Sequence, residues 1–290
     1  MCIRDSSNTY SNLFVYDAEV RVWTYREDGT IHSSILRPIQ SILLPPPFDT
    51  INVNNLPPVY TGFDLFGEIG KTYFLEVKWN NNIITSSTTI PEPTPLDCVW
   101  VEKNPTAQED YACYIRAVYS DPAEVQNNVL IRSKRLEHWK IKKNNNGIKN
   151  NNDDFMILVD AGPDVVINGQ TFETYFPRPE QSGGFPTGNY FTNRYKKFDS
   201  NGSEDSLLLP NDIALIKFCQ IDQPSLRFWR GVVRQVTSGG NPFAEPANLS
   251  SNIEGGLGSW TGYGTSYYKV PIIVDTTIFE EYTPGIQDIF

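Results

Sequence analysis

The chain has 290 residues, 39% hydrophobic and 13% aromatic, and its 24 Lys and Arg stand against 34 Asp and Glu for a net charge of −10. That is enough apolar material for the cores of two modest domains, yet no apolar run approaches the ~20 residues of a helical membrane span. The acidic balance repels phosphate backbones and disfavours nucleic acid as a partner.

The opening MCIRDS matches the in-frame translation of ATGTGTATAAGAGACAG, the mosaic end of a sequencing-library transposon. Residues 1–6 are therefore expected to be foreign, with native sequence lost upstream and no biology in Cys2. A lipid-anchor cysteine needs a signal peptide before it, and only Met1 precedes Cys2. In AEVRVW (18–23), Val20 and Val22 share a side and Trp23 takes the other. Asp28-Gly29 marks a hairpin turn. After the proline-rich LLPPPFD, GKTYFLEVKW (70–79) alternates, with Tyr73, Leu75, Val77 and Trp79 on one face; NNN turns the chain and IITSSTTI returns. Residues 7–90 are expected to be an incomplete immunoglobulin-like sandwich, since that fold uses about seven strands.

PEPTPLD (91–97) reads as a stiff linker, and residues 98–290 as a larger β-rich domain. Strands are predicted at 98–103, 111–119, 129–142, 155–160, 164–167 and 170–176, the last two joined at Asn168-Gly169. The basic stretch IRSKRLEHWKIKK (131–143) is expected on the outer face of a long strand, and KKNNNGIKNNNDDF (142–155) at a polar loop tip. DIALIKFCQI (212–221) is apolar on both sides, which suits a central strand. A helix over about 224–237 follows, capped by Asp222, with Pro224 in its first turn. Leu226, Trp229, Val233 and Val236 form its apolar stripe, Arg227, Arg230 and Arg234 its polar face, and Gly239-Gly240 its end. A loop-rich tail precedes the alternating YGTSYYKVPIIV. The fold class is all-β of sandwich type, two domains, with one packed helix.

Little here supplies chemistry. The only histidines are His32 and His138, and no GxSxG or CxxC occurs, against a Ser–His–Asp triad or a zinc site. Cys98 and Cys113 flank a polar loop: they either bridge two strands or are two small buried hydrophobes, while Cys219 reads as core. DSNGSEDS (199–206) sets Asp199, Asn201, Ser203 and Asp205 at alternate positions, but Gly202 comes fourth where a calcium loop wants it sixth, so it reads as a solvated acidic turn. Asp154, Asp160, Asp164 and Glu173 are acids in strands with no sign of convergence. No catalytic, metal or cofactor residue is assigned. The glycines of NIEGGLGSWTGYG lack the strand–GxGxxG–helix setting of a dinucleotide site. Asn252, Gly255, Gly256 and Gly258 instead shape a fixed loop. With Trp260, Tyr263, Tyr190 and Tyr195 as aromatic platforms, that loop is the candidate rim for a glycan, a peptide or a partner.

Several of these stretches together carry a resemblance. GKTYFLEVKW leading to TTIPEPTPLD, INGQTF, DIALIKFCQIDQPSLRFWRGVVRQ, and above all Asn241-Pro242-Phe243, Asn252-Ile253, Gly255-Gly256-Leu257-Gly258 and Trp260 resemble the Bacteroidota envelope lipoproteins grouped as domain of unknown function 4249. The resemblance implies an outer-membrane-associated lipoprotein, joined to the membrane only by a lipid anchor missing from this chain, and an accessory or ligand-binding role beside a TonB-dependent transporter. It implies no catalytic residues and no cofactor, so no enzyme. An envelope glycan hydrolase and a structural adhesion module stay open. The first needs two carboxylates converging in a cleft; an exposed aromatic groove counts against the second.

Overall fold

A computed structural model describes residues 15–41, 59–105, 112–137, 139–140, 149–150, 156–163, 168–176, 191–193, 195–198, 204–209, 212–238 and 248–285. In chain order the strands are β1 (Glu19–Tyr25), β2 (Ile31–Pro38), β3 (Tyr60–Thr61), β4 (Thr72–Trp79), β5 (Asn82–Thr89), β6 (Cys98–Lys103), β7 (Ala112–Ser120) and β8 (Asn128–Glu137). Then come β9 (Trp139–Lys140), β10 (Lys149–Asn150), β11 (Ile157–Gly162), β12 (Thr171–Phe176), β13 (Phe191–Thr192), β14 (Tyr195–Phe198), β15 (Glu204–Leu209) and β16 (Ile213–Ile221). The helix α1 (Gln223–Ser238), β17 (Ile253–Glu254), β18 (Gly264–Pro271) and β19 (Thr277–Ile278) complete the order. The protein is all-β with a single α-helix among the described residues, and its ladders are antiparallel.

The chain divides into two compact units, 1–90 with 251–262, and 91–250 with 263–290. The first unit is built on one six-stranded sheet, ordered β17-β5-β4-β1-β2-β3. Asn80 and Asn81, both at positive φ (48° and 62°), make the β4–β5 turn, the geometry of a type I′ hairpin. Alternation sends Val20, Val22, Tyr73 and Leu75 to one face as the core. Trp23 lies on the other, stacked on Phe74. The sequence suggested a sandwich over 7–90, but no second sheet is present among the described residues of this unit. Tyr60 of β3 and the loop residues Leu65 and Trp260 pack on the apolar face instead.

The second unit is a sandwich. One sheet runs β12-β7-β6-β19, with β13 also on β7; the other runs β11-β8-β16-β18. Val99, Val101, Ile115, Ala117 and Tyr119 from the first meet Ala214, Ile216, Phe218, Tyr268 and Val270 from the second in one core. Strand β16 is central, between β8 and β18, as its two-sided apolar pattern requires. On its other side Leu130, Cys219, Ile221 and Leu226 join Trp229 and Val233 of α1 in a second core. Asp222 caps the helix, accepting from Ser225 N–H at 2.9 Å.

Two sequence expectations are corrected. Residues 91–97 are no free linker: Thr94 N–H donates to buried Gln220 at 2.9 Å, Gln220 Nε2 returns a bond to the Thr94 carbonyl at 3.1 Å, and Leu96 is buried. Gly264 admits this segment because a Cβ there would lie 2.2 Å from the Pro91 carbonyl oxygen. The basic stretch is no solvated outer face, since β8 is an inner strand in which Lys134 and Arg135 are buried. Strand β12 pairs with β7, while the predicted strand 164–167, the other half of the expected hairpin at Asn168-Gly169, lies outside the described residues, like most of 142–155.

Candidate functional site: the 251–262 segment and its hollow

The sequence places the segment 251–262 in the second domain, within 98–290. It belongs to the first unit. Ile253 and Glu254 pair with Ser86 and Thr85 on the β5 edge, which satisfies backbone groups that an edge strand otherwise leaves open. Ser86 Oγ donates to the Asn252 carbonyl at 2.7 Å. The Asn252 side chain spans the loop: Trp260 N–H donates to its Oδ1 at 2.9 Å, and its Nδ2 donates to the Trp260 carbonyl at 2.7 Å. Gly262 N–H donates to Thr88 Oγ1 at 2.8 Å and pins the far end. Gly255 sits at φ +77°, and a Cβ on it would approach the Ile83 carbonyl oxygen to 2.8 Å. Both facts demand glycine there.

This clamp aims Trp260 at the apolar face of the sheet. An open hollow of about 320 Å³ lies there, floored by Val20, Leu75 and Val77 and walled by Tyr60, Trp79 and Trp260. Its rim is fixed by side-chain hydrogen bonds. Tyr60 Oη accepts from Ala18 N–H and donates to the Val15 carbonyl, both at 3.0 Å, and Trp79 Nε1 donates to Asp17 at 2.9 Å. The lining is almost wholly apolar. The exception beside it is Trp260 Nε1, a buried donor with no acceptor among the described residues. Its size and lining suit an apolar group.

Of the rim residues suggested by sequence, Asn252, Gly255, Gly256 and Trp260 come together here. Tyr263 does not: it lies in the second unit, its ring 4.8 Å from Lys217 Nζ. Tyr195 is in β14, paired with Leu209, and Tyr190 lies outside the described residues. Tyr60 and Trp79 were missed as walls. The alternation that set Trp79 beside Leu75 and Val77 was the available signal; nothing near Tyr60 hinted at its place.

The other candidates disperse. No disulfide joins Cys98 and Cys113. Cys98 faces Val118 and Cys113 faces Lys103, at opposite ends of the β6–β7 ladder. Five residues of strand separate them, roughly 16 Å at ~3.3 Å per residue, against the ~7 Å limit between Cα atoms for a disulfide. Cys113 is one of the small buried hydrophobes of the alternative reading, its thiol pushed up to about 11 by burial. Glu173 pairs with Arg116 at 2.5 Å on the β12–β7 sheet, while Asp160 sits exposed at the β11 bulge of the other sheet. Asp154, Asp164 and 199–203 fall outside the described residues. Among the described residues no group of His, Cys, Asp and Glu is arranged to hold a metal ion.

Comparison with curated proteins finds no match, and neither does comparison with solved structures. A family model does match, over residues 3–268. That span takes in the β4–β5 hairpin, the central strand with its helix, and the Asn252–Trp260 loop with its glycines. The chain is a member of the family described as domain of unknown function (DUF4249).

Proposed function

We propose that this protein is a non-enzymatic accessory component of the bacterial cell envelope, held at the outer membrane by a lipid anchor and working beside a TonB-dependent transporter. The observation that supports the reading is the hollow of the first unit. The segment carrying the family's tail motif gives the β5 edge a partner strand, clamps itself with Asn252, and uses Trp260 as a wall of an apolar recess. A glycan needs convergent hydrogen-bonding groups around its rings, and this lining offers almost none. A recess of about 320 Å³ walled by Trp and Tyr suits an apolar side chain of a protein partner instead, in the manner of an interface anchor. The role is therefore docking to the transporter rather than capture of sugar.

The test is purification of the tagged protein from detergent-solubilised outer membranes of a Bacteroidota host, followed by mass spectrometry. A TonB-dependent barrel recovered in near-equal amount is the expected result. Recovery of the protein without any such barrel overturns the reading.

A further inference from the structure

On the face of the β11-β8-β16-β18 sheet that carries α1, one row crosses all four strands. Leu158 faces Arg132, Arg132 faces Lys217, and Lys217 faces Tyr267. Two cations thus stand directly opposite each other on neighbouring inner strands, where like charges repel. Both are partly covered. Neither forms an ion pair with any described residue, and Nε of Arg132 is buried with no acceptor among them. Helix α1, which packs over this face, contains no acidic residue. The next row of the same face adds Lys134 and Lys269, on either side of Leu215. In a chain of net charge −10, such a gathering of cations calls for a reason.

Aromatic rings hold the two charges in place. The Arg132 guanidinium lies 4.6 Å from the Trp229 ring centre, and Lys217 Nζ lies 4.8 Å from Tyr263 and 5.7 Å from Tyr267. Ring faces attract a cation but neutralise nothing, so the mutual repulsion of Arg132 and Lys217 stays. Burial holds the Lys217 amine below its ordinary value, against the pull of Cys219 and with the Arg132 charge acting in the same direction as burial. A flat guanidinium fixed against a ring presents a fork of donors that matches a carboxylate or phosphate, and an ammonium beside it adds a point charge. The surrounding rings keep water out and strengthen the attraction.

We infer that Arg132 and Lys217, framed by Trp229, Tyr263 and Tyr267, form a binding site for an oxyanion, the carboxylate or phosphate group of a small ligand. The site lies wholly within the second unit and does not depend on the docking role of the hollow.

Thermal unfolding and calorimetric titration are run with sodium phosphate and with sodium acetate, each against sodium chloride at equal ionic strength, on the unaltered chain and on Lys217→Met, Lys217→Gln and Arg132→Gln. Phosphate or acetate saturably raises the unfolding midpoint of the unaltered chain beyond chloride, by about 3–5 °C at ten times the dissociation constant, and the anion that does so names the class. The three variants lose that response. Their midpoints in chloride match or exceed that of the unaltered chain, which shows that they fold with one repelling charge gone. An unaltered chain that responds to neither oxyanion beyond chloride overturns the inference. So does a saturable response that persists in the variants, which would be an adventitious ion only.

Discussion

Asn252 and Trp260 hold each other across seven intervening residues by two hydrogen bonds, one in each direction, from a single side-chain amide to one residue's backbone. The loop between them therefore behaves as a closed ring fastened to the sheet, and the fastening has a measurable value. Asn252→Ala is expected to destabilise the protein by about 2–3 kcal/mol, near 1 per hydrogen bond plus the unpaired backbone groups left behind. Asn252→Asp keeps the acceptor for Trp260 N–H and loses the donor, so it costs less. Denaturant unfolding of both variants checks the order; equal losses would mean that the Oδ1 bond contributes nothing.

Gly255→Ala meets two obstacles at once. The positive φ is strained for any L side chain, and the added carbon has only 2.8 Å to the Ile83 carbonyl oxygen. A loss of about 2–3 kcal/mol is expected, with faster hydrogen exchange at Ile253 and Glu254, whose pairing with β5 the loop secures. Unchanged protection at those amides would show that the strand holds without the glycine.

Ala18→Arg places a long cation in the hollow without removing any of its walls. Its backbone bond to Tyr60 is untouched, so stability is expected to change by no more than about 1 kcal/mol, while recovery of the transporter falls at least tenfold. Undiminished co-purification would move the docking surface away from the hollow.

The buried thiols Cys113 and Cys219 are expected to react together only on unfolding, and the half-buried Cys98 before them. Unfolding midpoints with and without reductant should coincide, because no disulfide closes the β6–β7 loop. A reductant-dependent drop of several degrees would contradict the register seen here.

High pH should unfold the protein. Burial pushes the hydroxyls of Tyr267 and Tyr268 up to about 12, and the Cys113 thiol to about 11, from ordinary values of 10 and 9. These groups ionise more readily in the unfolded chain. Their contribution to stability is complete below pH ~9, declines as pH climbs past the unfolded values, and is gone near the folded ones. A fall in midpoint beginning between pH 9 and 10 is expected by circular dichroism. Tyr268→Phe should cost about 1–3 kcal/mol at neutral pH by stranding the Leu96 N–H it accepts from at 2.7 Å, yet soften the alkaline fall. A parallel pH curve in that variant would assign the fall elsewhere.

Much of the fold could be read from the chain because local pattern and tertiary demand coincide. The two-sided apolar run 213–221 can only be an inner strand, and Asp222 with Pro224 and the Leu226–Trp229–Val233 spacing announces the helix that covers it. What could not be read is set by partners distant in sequence. Nothing local to Ile253 says that it pairs with Ser86. Nothing local to Thr94 says that Gln220 holds it from both sides. The same blindness turned 91–97 into a linker and assigned 251–262 to the second domain. The cation row escaped notice because Arg132 and Lys217 lie far apart in the chain and each is unremarkable alone.

The first unit is discontinuous in sequence: its last strand arrives only after residues 91–250 have been made. A chain folding in its order of emergence, from a ribosome or from an export channel, leaves the first unit's sheet with an unpartnered β5 edge and an apolar face lacking Trp260 until that strand appears. Expressing residues 15–90 alone would freeze that vulnerable stage, so the unit should be studied only with its late strand present or supplied as a peptide.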